Sequence, residues 1–149
     1  MNKTTGVIIV YACMIAAALC TASFADSNYA EQQQQGDRND AYIEQTGVEN
    51  QAYQNQFEEF NTATVYQIGT GNSAQQEQHG YGNDAVIDQD GTGNSAVQTQ
   101  FGELNQATIY QSGSGNYAEQ YQEGSTHNAF IEQNQSYNTA YQTQFGNTN

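Results

Sequence analysis

The chain has 149 residues, and 16 acidic side chains face only two basic ones, for a formal charge of −14. That balance excludes nucleic acid and anionic lipid as partners, because both are held by clustered Lys and Arg. Two cysteines are too few for a disulfide framework.

Lys3 gives a short positive start, residues 7–20 are an apolar run of 14, and Ser23-Phe24-Ala25 places small residues where a signal peptidase reads. Residues 1–25 are therefore expected to be a secretory signal peptide, cleaved between Ala25 and Asp26. A membrane anchor needs about 20 apolar residues and this run is shorter, so no membrane insertion is expected. Bulky Leu19 just before Cys20 argues against a lipoprotein. Cys13 and Cys20 both leave with the signal, so the mature chain has no thiol for disulfide, nucleophile or metal ligand, although it travels where disulfides persist.

The 124 mature residues keep Arg38 as their one basic side chain against 16 acids, a formal charge of −15. Leu, Ile, Val and Phe number 15, about 12%, which by composition alone reads as disorder. Residues 26–38, DSNYAEQQQQGDR, form a short polar leader. After it, the order of the residues reverses that reading.

Gln45, Gln67, Gln89, Gln111 and Gln133 follow one another at steps of 22. Ala41, Ala63, Ala85, Ala107 and Ala129 keep the same step, as do Ile43, Val65, Ile87, Ile109 and Ile131. So do Asn50, Asn72, Asn94, Asn116 and Asn138, the alanines from Ala52 to Ala140, and the glutamines from Gln54 to Gln142. Gln56, Gln78, Gln100, Gln122 and Gln144 complete the frame. Five repeats, 39–60, 61–82, 83–104, 105–126 and 127–148, run without an insertion, and a fixed period this short means stacked supersecondary units.

Inside a unit the spacing is two, so each half is a strand. The first repeat predicts strands at 39–45 and 50–56 with corners at 46–49 and 57–60. Gly47, Gly69, Gly91 and Gly113 mark one corner and Gly80, Gly102, Gly124 and Gly146 the other, where positive φ is expected. The absence of proline suits a chain in which every backbone N–H is wanted in a ladder. The expected fold is all-β: a two-sheet β-solenoid, or cross-β stack, of five strand–turn–strand arches about 24 Å tall. The Ala and Ile/Val columns form a thin dry seam, and the inward Gln and Asn are expected to hydrogen-bond to their equivalents above and below.

The frame Ala63-Thr64-Val65-Tyr66-Gln67-Ile68-Gly69-Thr70-Gly71-Asn72-Ser73-Ala74-Gln75-Gln76-Glu77-Gln78 resembles the curlin repeat. That family supplies the subunits of curli, the extracellular amyloid of Gram-negative biofilms. The resemblance covers residues 39–148. It implies a secreted, non-enzymatic subunit that polymerises with itself on the cell surface, for adhesion and biofilm matrix. It also implies a nucleator subunit, an outer-membrane secretion pore and periplasmic accessory factors as partners, with the leader addressing the pore. The family's nucleators carry basic, degenerate final repeats, whereas residues 127–148 hold no Lys or Arg, so the resemblance favours the major subunit over the minor one. The last repeat departs from the frame with His127 in place of Asn and Gln135 in place of Gly.

Other chemistry finds less support. A polysaccharide-cleaving pair of carboxylates needs a break in regularity, and the acids fall on outward positions such as Asp40, Glu44, Glu77, Asp84, Asp88, Glu119 and Glu132, or in corners. A calcium solenoid would repeat Asp at one corner position, yet Asp90 shares its column with Thr46, Ile68, Ser112 and Asn134. His79 and His127 have no second histidine in register, and His127 reads as a hydrogen-bonding replacement for Asn. No cofactor or metal is expected. A monomeric solenoid that binds carbohydrate or surfaces through its outward tyrosines is the alternative of a different class. None of the 13 acids in the repeats stands directly above another, so like charges are expected about 9.6 Å apart rather than about 4.8 Å. The repeats run almost to Asn149, so both end rungs are expected to offer unpaired edges that template the next chain.

Overall fold

Apolar and amide side chains that alternate at a period of two can bury one face only as strands. The computed structural model describes residues 27–147, together with the backbone of two strands at 7–13 and 17–22, and holds no helix among them. In chain order the strands are β1 (Val7–Cys13), β2 (Ala17–Ala22), β3 (Tyr29–Gln35), β4 (Asp40–Val48), β5 (Gln51–Glu59), β6 (Thr62–Thr70) and β7 (Ser73–Tyr81). They continue as β8 (Asp84–Thr92), β9 (Ser95–Glu103), β10 (Gln106–Ser114), β11 (Tyr117–Ser125), β12 (Asn128–Asn134) and β13 (Thr139–Asn147). Odd-numbered strands form one sheet in the order β1-β3-β5-β7-β9-β11-β13, and even-numbered strands form the other from β12 to β2. All pairings are parallel, and from Tyr29 on each residue lies beside the one 22 positions away, as in Ala41↔Ala63↔Ala85. The fold is a two-sheet β-solenoid of about five turns.

Ile43, Val65, Ile87 and Ile109 from one sheet meet Ala52, Ala74, Ala96 and Ala118 from the other in a seam one side chain deep. Ala41, Ala63, Ala85, Ala107 and Ala129 are buried beside them, and Ile131 closes the row at 7% exposed. A large aliphatic against an alanine sets a narrow gap between the sheets, and the flanking Gln side chains fill its ends.

Two features differ from the sequence-based expectation. Most strands span nine residues rather than seven, because ladder bonding continues through the glycine columns and the turn contracts to two residues, as at 49–50 and 60–61. The repeat pattern also begins earlier than residue 39. Asn28, Ala30, Gln32 and Gln34 stand 22 residues before Asn50, Ala52, Gln54 and Gln56 and are buried in the same columns, so β3 is a half-repeat carried by the leader. In the full chain β1 and β2 lie beside β3 and β4. The Ala25–Asp26 cleavage position falls outside the described residues.

Candidate functional site

The inward glutamines from Gln45 to Gln122 make the same two donations. Gln89 Nε2 donates along the stack to Gln111 Oε1 at 2.8 Å and across the seam to the Ser73 carbonyl at 2.9 Å, while its Oε1 accepts from Gln67 at 2.8 Å. The same two-way bonding recurs at Gln45, Gln67 and Gln111. In the opposite sheet Gln56, Gln78, Gln100 and Gln122 repeat it, with Gln54, Gln76, Gln98 and Gln120 forming a third ladder. Inside the stack these amides are fully buried, a state tolerable only because both N–H donors and the carbonyl are satisfied.

The asparagines act differently from the expected amide-on-amide ladder. Asn72 Nδ2 donates to the Ile68 and Gly91 carbonyls, both at 3.1 Å, and its Oδ1 accepts the backbone N–H of Asn94 at 3.0 Å. Being one methylene shorter than Gln, the side chain bonds mainly to backbone, at the turn carbonyls and the N–H of the next rung's Asn. Among the described residues only Asn61 and Asn116 Nδ2 also donate to an equivalent amide, Asn39 and Asn94 Oδ1, at 3.3 and 3.1 Å. Asn50, Asn94 and Asn116 clasp one corner in this way, and Asn39, Asn61, Asn83 and Asn105 the other. His127 keeps part of the pattern: its backbone N–H donates to Asn105 Oδ1 at 3.0 Å, and Nε2 lies 3.2 Å from the Glu123 carbonyl. A carbonyl only accepts, so Nε2 carries the proton, and Nδ1 is buried without a partner. Gln135 holds the glycine position at φ 90, and its carbonyl still accepts from Asn116.

The ladders have a direction. Every axial Gln–Gln bond runs from Nε2 to the Oε1 22 residues later, so carbonyls face the N-terminal end and amino groups the C-terminal end. At the C-terminal end Gln133 is nearly buried, Gln142 and Gln144 are half-buried and Asn138 is exposed, since no rung covers them among the described residues. At the N-terminal end Gln32 Oε1 and Gln34 Oε1 are buried with no donor, because the register places Val10 and Ala12, which have no side-chain N–H, at the next rung. Each such acceptor costs about 1–3 kcal/mol. The two end rungs are thus chemically complementary: acceptors at one, donors at the other.

The outer faces carry a second regularity. Glu44, Tyr66, Asp88, Tyr110 and Glu132 succeed one another in register, so an aromatic separates each pair of carboxylates. Tyr42, Tyr117 and Tyr121 hydroxyls donate to Glu44, Glu119 and Glu123 two residues on, at 2.8–2.9 Å. The hydrogen bond to Glu119 and the one to Glu123 raise the pKa of Tyr117 and Tyr121 respectively. Burial raises Asp84 above the ordinary carboxylate range, and burial together with the nearby Asp90 raises Asp88. His79 stacks between Phe57 and Phe101, with centroids 4.5 and 4.8 Å away, and lies 2.7 Å from Glu77. Among the described residues no group of three or more His, Cys, Asp or Glu could hold a metal ion.

Residues 102–134 match the family model described as the curlin associated repeat. That segment is a curlin-type repeat. No curated protein sequence matches the chain. The matched segment takes in β10, β11 and β12, and the in-register pairing from β3 to β13 sets the other repeats of the chain in the same frame. Its inward glutamines are where the spacing puts them. The added partners Asn28, Gln32 and Gln34 lie in the leader and could have been found by carrying the 22-residue step one strand further back.

Proposed function

We propose that this protein is a secreted structural subunit that polymerises into extracellular curli-type amyloid fibres on a Gram-negative surface, each end rung templating the next chain. The observation that carries this reading is the polar glutamine ladder, which runs the length of the solenoid and reaches both ends with the bonding groups a further copy would need. No chemistry is involved, only edge addition with burial of one more rung. Cleavage between Ala25 and Asp26 would remove β1 and β2 and uncover the N-terminal edge. The absence of Lys and Arg from 127–148 favours the major subunit over the nucleator, and a nucleator, a secretion pore and periplasmic factors are the partners this role calls for.

The outward aromatics, paired rung to rung with tilted rings as in Tyr42–Tyr66 and Tyr117–Tyr141, both at 5.6 Å, favour a second reading, a monomer that binds carbohydrate or surfaces. Purified residues 26–149, left at neutral pH, separate the two. A lag followed by thioflavin fluorescence, with loss of the monomer peak in sizing, is expected. A persistent monomer would support the binder.

A further inference from the structure

β3 and β13 lie in the same sheet. Without β1 the seven-stranded sheet keeps six strands, and without β2 the six-stranded sheet keeps five. The inequality of one persists whether or not β1 and β2 are present, and it constrains how two copies can stack. If β13 of one copy lies on β3 of the next, β12 and the next copy's β4 are two rungs apart, about 9.6 Å, with a strand missing between Ile131 and Ile43. If β13 lies instead on β5 of the next copy, β12 meets β4 at a single rung spacing and both sheets run through the junction. In that arrangement β3 has no place.

The residues favour the second arrangement. Asn28, Ala30, Gln32 and Gln34 on and before β3 recur as Asn138, Ala140, Gln142 and Gln144 at β13, so β13 offers the edge of β5 the same inward groups. β13 pairs with β11 over nine residues, whereas β3 pairs with β5 over seven, so the exchange lengthens the ladder. Gln142 and Gln144 have an N–H directed out of the C-terminal end, and Gln54 and Gln56 Oε1 would accept them as they now accept from Gln32 and Gln34.

We infer that β3 is a placeholder: in the single subunit the leader's half-repeat covers the edge of β5, and in the fibre β13 of a second copy displaces it. This rests on the fibre reading. Gln33 and Asn55 are register partners on the outer face, and residues 26–149 contain no cysteine, so Gln33→Cys with Asn55→Cys would lock β3 in place when oxidised. With wild-type seeds, the oxidised variant is expected to elongate at least tenfold more slowly than the same protein after reduction, because the C-terminal end of a seed admits no locked copy and the N-terminal end stops after one. A chain of residues 39–149 is expected to elongate at least as fast as residues 26–149. Equal elongation by the oxidised and reduced forms, or slower elongation by residues 39–149, would overturn the inference by making β3 a rung of the fibre. Failure of wild-type residues 26–149 to elongate would instead strike the fibre reading itself, and that arm is read first.

Discussion

A glutamine amide has two N–H donors and one carbonyl, and in the middle of this stack all three are engaged. Gln111, for example, accepts from Gln89 and donates to Gln133 and to the Ser95 carbonyl. The bonding is self-consistent only while each rung presents the same residue at the same height, which is why a chain so poor in large aliphatics can hold a dry interior. Replacing Gln133 and Asn138 by Ala would leave Gln111 Nε2 without its axial acceptor and Asn116 Oδ1 without the N–H geometry the clasp holds. The expected penalty is about 1–3 kcal/mol for each buried group left unpaired. Thr139→Ala with Thr143→Ala, on the exposed face of the same strand, should cost much less. Seeding efficiency and fibre yield compare the two double variants, and equal damage would mean that the amide ladder does not direct addition.

At the level of the arch, the corner decides whether strands can stack. Gly91 and Gly93 both have positive φ, at 130 and 65, but only Gly91 sits beneath the next rung: a Cβ built there would come 1.9 Å from the Gly113 carbonyl oxygen, whereas one at Gly93 meets nothing within 4 Å. Gly93→Ala should therefore cost about 1–2 kcal/mol, the penalty of a left-handed residue. Gly91→Ala adds a backbone collision and should lower the denaturant midpoint several times further, or prevent stacking outright. Similar midpoints for the two would show that the stacked corner is not a constraint. Spacing alone revealed the strands, the two faces and the glycine columns, because a period of two and a period of 22 both leave their mark on residue identity. It did not reveal the asparagine clasp, whose bonds go to backbone carbonyls that exist as acceptors only once the corner has formed. It also missed β3, since residues 17–27 do not carry the first-strand frame and the repeat therefore seems to start at Asn39. The Tyr-x-Glu pairs at 42–44, 117–119 and 121–123 were visible as a two-residue step but needed the strand geometry to become hydrogen bonds.

For the whole molecule the dominant problem is charge. Interposing Tyr66 and Tyr110 between Glu44, Asp88 and Glu132 moves carboxylates to about 9.6 Å, near the screening length of about 8 Å in physiological salt. Asp84 and Asp88 remain costly, because burial favours their neutral form. Their folded pKa values lie above the unfolded one, so their contribution to stability is full below the unfolded carboxyl range and is lost as pH rises through the raised folded values. Stability and assembly should accordingly be greater near pH 4 than near pH 8 at low salt. Asp84→Asn with Asp88→Asn should flatten that profile by removing the part that comes from burial, and added salt should flatten the part that comes from repulsion between chains. Lag times and denaturant midpoints across pH check both, and profiles of wild type and variant that coincide would remove these two carboxyls from the account.

Oriented fibre diffraction from assembled residues 26–149 tests most directly whether the solenoid is the repeating unit of a polymer. Stacked rungs predict a meridional reflection at about 4.8 Å along the fibre axis and an equatorial one near 10 Å from the two facing sheets. Solutions that never yield fibres, or fibres whose 4.8 Å reflection lies off the meridian, would contradict growth by rung-on-rung stacking.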